Sequence, residues 1–307
     1  MNERPDLSII QEVSQETGIA EPFVEKDWFV TQAVNAVSGI NIDGFEVVFS
    51  GGTALSKAHG LLKRFSEDVD FRVLAADAER GRKALSVYKN AVIEALRQQG
   101  FPIKDEQIMA LNGNRFFSVD LDYESQFSRA NALRPHIQVE LTVRGTQLSP
   151  LYMPVSSFIN HLSGQSPEVE RIGCIDPVES AADKLSALAW RIPDRVRGDQ
   201  YDDPAVVRHV HDLAILKDIA EKSDKFSRLV ISAMQHDDRR SKNNAAFSGL
   251  PVAEKFQQMF AAFDRDEQYG PEYDLFVKGV SYAPAGAVPD FDAAMDAVRA
   301  LVKIVTT

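Results

Sequence analysis

Apolar and polar positions follow three rhythms along the chain. Leu7, Ile10, Val13 and Ile19 have roughly helical spacing, which predicts an N-terminal helix capped by Asp6. Pro22 opens a second helix, in which Phe23, Val24, Trp28, Val30, Ala33, Val34 and Val37 carry the pattern to Gly39. Val47-Val48-Phe49 is then a continuous apolar run ending at Ser50-Gly51-Gly52, as expected of a buried strand entering a tight turn. A short helix is predicted over 53–59, with Gly60 as its stop. A strand follows over 65–74, and a long helix over 78–99 that Gly100 and Pro102 end. Apolar and polar residues alternate over 115–123 and 135–144, more weakly over 148–158, and a short strand is expected over 171–175. After Asp176-Pro177 the texture becomes helical. Helices are predicted over 178–190, 204–219, 226–234, 254–263 and 291–305, with a charged loop at 193–203 and a polar stretch at 236–248. The pattern therefore predicts an α+β chain with a mixed half over 1–176 and a helical half over 177–307.

Composition narrows this picture. The 307 residues carry 34 Lys and Arg against 45 Asp and Glu, a net charge of −11. Such a balance argues against general coating of nucleic acid, although a local basic groove remains compatible with it. Cys174 is the single cysteine, so neither an internal disulfide nor a cysteine zinc cluster can form. The N-terminus shows no apolar signal core. Together with the cysteine usage, this leads to the expectation of a cytoplasmic protein. No run of about eighteen apolar residues is present, so no membrane-spanning helix is expected. No repeat of period 20–50 is visible.

The chemistry is concentrated in residues 49–71, FSGGTALSKAHGLLKRFSEDVDF. The order is strand, Gly-Gly turn, helix, then a strand bearing Asp-x-Asp. On a strand, residues i and i+2 share a face, so Asp68 and Asp70 point one way while Val69 and Phe71 point into the core. Two adjacent carboxylates repel unless a positive charge lies between them. Mg²⁺ suits an all-oxygen site that substrate phosphates complete. Gly51 and Gly52 allow close approach of a phosphate, Thr53 adds a hydroxyl, and Lys57 adds a charge one turn on. Alone, a Gly-Gly turn is usually only a turn and an Asp-x-Asp usually a solvated strand face. Their combination points to a metal–phosphate site.

These residues resemble the signature of the AbiEii/AbiGii-type nucleotidyltransferase toxins, a family with a polymerase-β-like nucleotidyltransferase fold. The matching positions are Gly51, Gly52, Thr53, Leu55, Ser56 and Lys57, then Arg64, Phe65, Ser66, Asp68 and Asp70. Glu25-Lys26-Asp27 followed by Trp28 is also similar to the family. The resemblance runs in patches from about residue 20 to 220. It implies a mixed sheet with flanking helices, followed by helices that complete the active site. A third carboxylate on a neighbouring strand is implied too. The alternation of HIQVELTV makes Glu140 the best candidate, with Asp120 and Asp122 as rivals. Lys184, in Asp183-Lys184-Leu185, resembles a nucleotide-contacting lysine, with Asp183 where the family more often has Glu. Arg208, His209, Asp212 and Leu213 match a further motif, in which Asp212 resembles an acid near the active site; an ion pair with Arg208 is the plain alternative. Arg64 and Ser66 join the nucleotide-binding set.

His209 and His211 lie about 200° apart on a helix and cannot share one metal ion. The resemblance implies transfer of a nucleotide from an NTP to an acceptor hydroxyl with Mg²⁺ as cofactor, Asp68, Asp70 and Glu140 serving it. The resemblance implies a tRNA 3′ end or a protein hydroxyl as acceptor, the tRNA end being the first expectation, and a cognate antitoxin protein as partner. Two basic groups bear on an RNA acceptor: Arg191, Arg195, Arg197, Arg208 and His209 near Lys184, and Lys225, Arg228, Arg239, Arg240 and Lys242. A small-molecule nucleotidyltransferase and a catalytically silent binding module are the rival readings.

Overall fold

The computed structural model describes residues 4–76, 81–128, 130, 132–240, 245–284 and 286–307. The chain forms two compact units, residues 1–175 and 176–307.

The first unit begins with helices α1 (Leu7–Thr17) and α2 (Glu21–Ser38). Gly18 closes α1 in the left-handed region, and Pro22 sits in the first turn of α2, where its missing N–H is not needed. A seven-stranded sheet follows, made of β1 (Phe45–Ser50), β2 (Asp68–Ala75), β3 (Ile108–Leu111), β4 (Phe116–Asp122), β5 (His136–Val143), β6 (Leu151–Val155) and β7 (Val169–Cys174). Its order is β3-β4-β5-β2-β1-β7-β6. The β2–β5 and β1–β7 pairs are parallel and the others antiparallel, so the sheet is mixed. The remaining helices of this unit are α3 (Gly51–Lys57), α4 (Arg82–Gln98) and α5 (Phe158–Leu162).

One core accounts for this layering. Val30, Val34 and Val37 of α2 and Tyr88, Val92 and Leu96 of α4 pack with Phe49, Val69, Phe71, Val139 and Leu141 of the sheet. The other face of β2 and β5 is thereby left for polar residues, and β5 alternates half-buried and buried positions as a one-sided strand must.

The second unit holds α6 (Pro177–Asp194), α7 (Arg208–Glu221), α8 (Phe226–Arg240), α9 (Ala245–Ser248), α10 (Val252–Arg265), α11 (Tyr269–Val280) and α12 (Phe291–Thr306). Asp176 caps α6, accepting from Val178 N at 2.8 Å. Helix α6 packs on α7, α8 and α10, and α12 packs on α7.

Several elements depart from the sequence pattern. The start of the expected helix at Ala78 lies outside the described residues; α4 runs from Arg82. Helix α3 begins at Gly51 rather than Thr53, and β2 begins at Asp68 rather than Phe65. Strand β3 was not expected, because three of its four residues are exposed and pairing with β4 alone orders it. Helix α8 runs to Arg240, through the first five residues of the expected polar stretch. Partners within the unit hold its polar end: Ser186 Oγ donates to Asp237 at 2.6 Å, and buried Lys255 pairs with Asp238. Helix α11 falls between the helices predicted over 254–263 and 291–305, where the sequence pattern predicts no element. Pro271 lies in its first turn, where proline is tolerated, and its buried Tyr269 and Tyr273 pack on Phe263 and Phe291.

Candidate active site

Strand β1 passes into α3 without a loop, through Gly51 at φ +75°. A Cβ at Gly51 would strike the Asp70 carboxylate, standing 2.9 Å from its Cγ. A Cβ at Gly52 would stand 2.7 Å from Arg64 Nη2 and 3.0 Å from Ser66 Oγ. The two glycines thus let the Asp70 carboxylate, the Arg64 guanidinium and the Ser66 hydroxyl rest against the turn. Arg64 is buried and also donates from Nη1 to Phe65 O at 3.1 Å.

Strand register sets the acids. Ser50 pairs with Asp70 across β1–β2, and Asp68 and Asp70 pair with Gln138 and Glu140 across β2–β5. Residues two apart share a face, so Asp68, Asp70 and Glu140 stand on the side opposite the α2–α4 core. Glu140 is the register neighbour of Asp70. Asp120 lies one strand further out, opposite Gln138, with His136 Nε2 3.8 Å away. Asp122 accepts from Gln107 at 2.9 Å.

Spacing in the sequence directs Thr53 and Lys57 at phosphate, but the structure engages both elsewhere. Thr53 is fully buried, and its hydroxyl donates to Asp68 O and, at 3.3 Å, to Ser66 O. It therefore fixes the approach to β2. Lys57 is buried against Asp27 of α2. Asp27 also accepts from Phe158 N at 2.8 Å, and its burial pushes its carboxyl pKa up while Lys57 opposes the shift.

Residues 25–27 each hold a different segment. Glu25 accepts from Arg4 at 2.7 Å, from Gln126 N at 2.8 Å and from Ser125 Oγ. Lys26, wholly buried, donates to Glu67 and to Arg134 O at 2.8 Å. Burial lowers the Lys26 pKa, with Glu67 opposing. Glu67 in turn accepts from Arg134 Nε at 3.0 Å, and Arg134 Nη2 donates to Asp68. Burial works against the charge of Arg134, but Asp68 and Glu67 outweigh it and raise its pKa. Reading the sequence missed Glu67 and Arg134. The available signal was three consecutive charges set between the apolar residues Phe23-Val24 and Trp28-Phe29-Val30 of one helix, since buried charges require partners.

In the second unit, Lys184 Nζ lies 2.8 Å from Asp212 Oδ2, and His211 Nδ1 lies 3.0 Å from Asp212 Oδ1. The ion pair of Asp212 is thus with Lys184, while Arg208 pairs with Asp203 at 2.9 Å. His209 is half-buried as a residue, but both its ring nitrogens are buried and have no hydrogen-bond partner among the described residues. Burial, then Arg208, Lys184 and Arg191, holds its pKa well below the ordinary histidine value. The first basic group is largely answered by acids. Arg195 pairs with Asp202 and Glu272, Arg197 with Asp266 and Glu272, and Arg191 approaches Asp203 at 3.5 Å. In the second group, Lys242 and the Arg240 side chain lie outside the described residues.

Among the described residues no three His, Cys, Asp or Glu side chains are gathered closely enough to hold a metal ion by themselves. Two strand carboxylates beside a glycine turn still fit Mg²⁺, which is commonly held by one or two carboxylates together with substrate phosphates.

A mixed sheet with paired carboxylates beside a glycine turn is the arrangement expected of a nucleotidyl transferase from the sequence motif. The model of the family described as "Nucleotidyl transferase AbiEii toxin, Type IV TA system" matches residues 41–297, and the chain belongs to that family. It is accordingly a nucleotidyl transferase, a toxin of a type IV toxin–antitoxin system, with an NTP as substrate and an antitoxin as its counterpart. No curated protein matches the chain. Among solved structures, the chain is similar to MenT4, a nucleotidyltransferase toxin from Mycobacterium tuberculosis H37Rv. The identity is 15% and the TM-score 0.46, with 95% of this chain and 98% of that chain covered. Among the described residues no helix is long and apolar enough to cross a membrane.

Proposed function

We propose that the β2–β5 face is where a nucleotide is transferred from an NTP to an acceptor hydroxyl, with an RNA 3′ end, most simply that of a tRNA, as acceptor. The observation that carries this reading is the Asp70 carboxylate resting on the Cα of Gly51 with Glu140 as its strand neighbour. Asp68 and Asp70 would hold Mg²⁺ together with the substrate phosphates, while Glu140, the strand neighbour of Asp70, is kept for the acceptor proton. When bound, that ion supplies positive charge against the phosphate oxygens and the leaving group. The space at Gly51 is taken by the Asp70 carboxylate rather than left for phosphate, and it is Arg64 and Ser66, against Gly52, that present a cation and a hydroxyl to a phosphate. Thr53 and Lys57 act from behind, fixing β2 and α3 in place.

The acceptor oxygen forms a bond to the α-phosphorus, the bond from that phosphorus to the bridging oxygen breaks, and pyrophosphate leaves. Glu140 takes the hydroxyl proton. In the second unit, Lys184, set by Asp212, is the candidate nucleotide contact. Support for RNA comes from α8. Lys225, just before the helix, and Arg228 and Arg239 on it recur at three- and eleven-residue intervals, which places them on one face, and all three are exposed.

A small hydroxylated acceptor is the second reading. It is favoured by the acids that answer Arg191, Arg195, Arg197 and Arg208. Each labelled NTP would be incubated with total RNA and, separately, with small hydroxylated compounds. Label in RNA supports the first reading, and label only in small compounds the second. Asp68→Ala should abolish transfer in either case. Full transfer by that variant would remove the site from this face.

A further inference from the structure

Arg134 is held at three points. Its backbone N donates to the Glu67 carboxylate at 3.0 and 3.3 Å, and its carbonyl accepts from Lys26 Nζ at 2.8 Å. Its guanidinium spans two acids, with Nε on Glu67 at 3.0 Å and Nη2 on Asp68. The result is a chain of alternating charge, Lys26–Glu67–Arg134–Asp68, that begins in the core and ends on the acidic face. Side-chain exposure rises from 0% at Lys26 through 15% at Glu67 to 42% at Arg134, and is 34% at Asp68. An ordinary surface pair has no such foundation. Asp68 and Asp70 share a face with Glu140, so this part of the sheet concentrates negative charge. The cation placed there is attached to Asp68 by one nitrogen and to Glu67 by another.

We propose that Arg134 is a positioning residue that serves as a resident counter-cation of the metal site. It neutralises Asp68 before a divalent ion binds and gives Asp68 up when the ion arrives, staying tethered to Glu67 through Nε. The inference rests on the reading of Asp68 as a metal ligand. Because Glu67 keeps its hold, release needs only movement of the outer end of the guanidinium. The divalent ion therefore competes with Arg134 for one carboxylate, and its apparent affinity is lower than the carboxylates alone would give.

Mn²⁺ is the probe, its free concentration read by electron paramagnetic resonance in titrations of the wild-type chain, Arg134→Gln, Arg134→Lys and Asp68→Asn. Losing a competing, partly exposed cation should tighten Mn²⁺ binding in Arg134→Gln roughly three- to tenfold. Asp68→Asn should bind at least about tenfold more weakly. If Arg134→Gln binds as wild type or more weakly while Asp68→Asn loses binding, Arg134 is only structural and the proposal fails, with the metal reading intact. If Asp68→Asn binds as wild type, both the metal reading and the proposal fail. Should circular dichroism show Arg134→Gln unfolded, Arg134→Lys decides. It keeps the charge but cannot bridge both acids, so it should bind Mn²⁺ more tightly than wild type by a smaller factor; unchanged binding overturns the proposal.

Discussion

At the scale of residues, the site depends on what two glycines lack. Gly51 combines a positive φ with the Asp70 carboxylate against its Cα, so any side chain meets both backbone strain and a collision. Gly51→Ala should lower stability by roughly 1–3 kcal/mol from the left-handed conformation alone. It should also abolish transfer, because Asp70 must move. Urea unfolding and a labelled-NTP assay check the two effects, and an alanine variant with wild-type stability and turnover would contradict the close approach. The run Glu25-Lys26-Asp27 shows the same economy. Successive helical side chains point about 100° apart, and these three reach a loop after β4, Glu67 and Lys57 respectively.

At the scale of elements, α3 and β2 are joined by a buried hydroxyl rather than by apolar packing alone. Thr53, fully buried in the second position after Gly51, donates to the carbonyls of Ser66 and Asp68. This bond sets where β2 begins, and so where Asp68 stands. Thr53→Val preserves the shape and removes the donor. It should cost about 1–3 kcal/mol in urea unfolding, because buried acceptors lose a partner. It should also speed amide exchange at the start of β2 more than in α2. Uniform exchange rates across both elements would show that the hydroxyl has no local role.

At the scale of the whole molecule, the net charge of −11 is unevenly answered. Arg195 and Arg197 are absorbed by Asp202, Asp266 and Glu272, so local cation counts overstate what an RNA would meet. Lys225, just before α8, and Arg228 and Arg239 on it are exposed. Reversing all three to Glu should weaken RNA binding and flatten the slope of log affinity against log salt by about 0.7 per lost phosphate contact. A filter-binding series at several salt concentrations reads this directly. An unchanged slope would place RNA elsewhere or favour a small acceptor.

The sequence by itself determined the mixed-then-helical order, the strand–glycine–helix–strand motif and the shared face of Asp68 and Asp70. Each of these follows from local periodicity, which a backbone of fixed geometry imposes wherever one face must be buried. Tertiary structure alone decided which strand became the neighbour of β2, and therefore that Glu140 rather than Asp120 lies beside Asp70. It also decided that Lys57 turns to Asp27, that Asp212 pairs with Lys184 rather than Arg208, and that Arg134 meets Asp68 from 66 residues away. Charges choose partners by proximity in space, because the penalty for burying an unpaired ion far exceeds any local preference. That proximity depends on how the sheet and helices close, which no short stretch of sequence encodes.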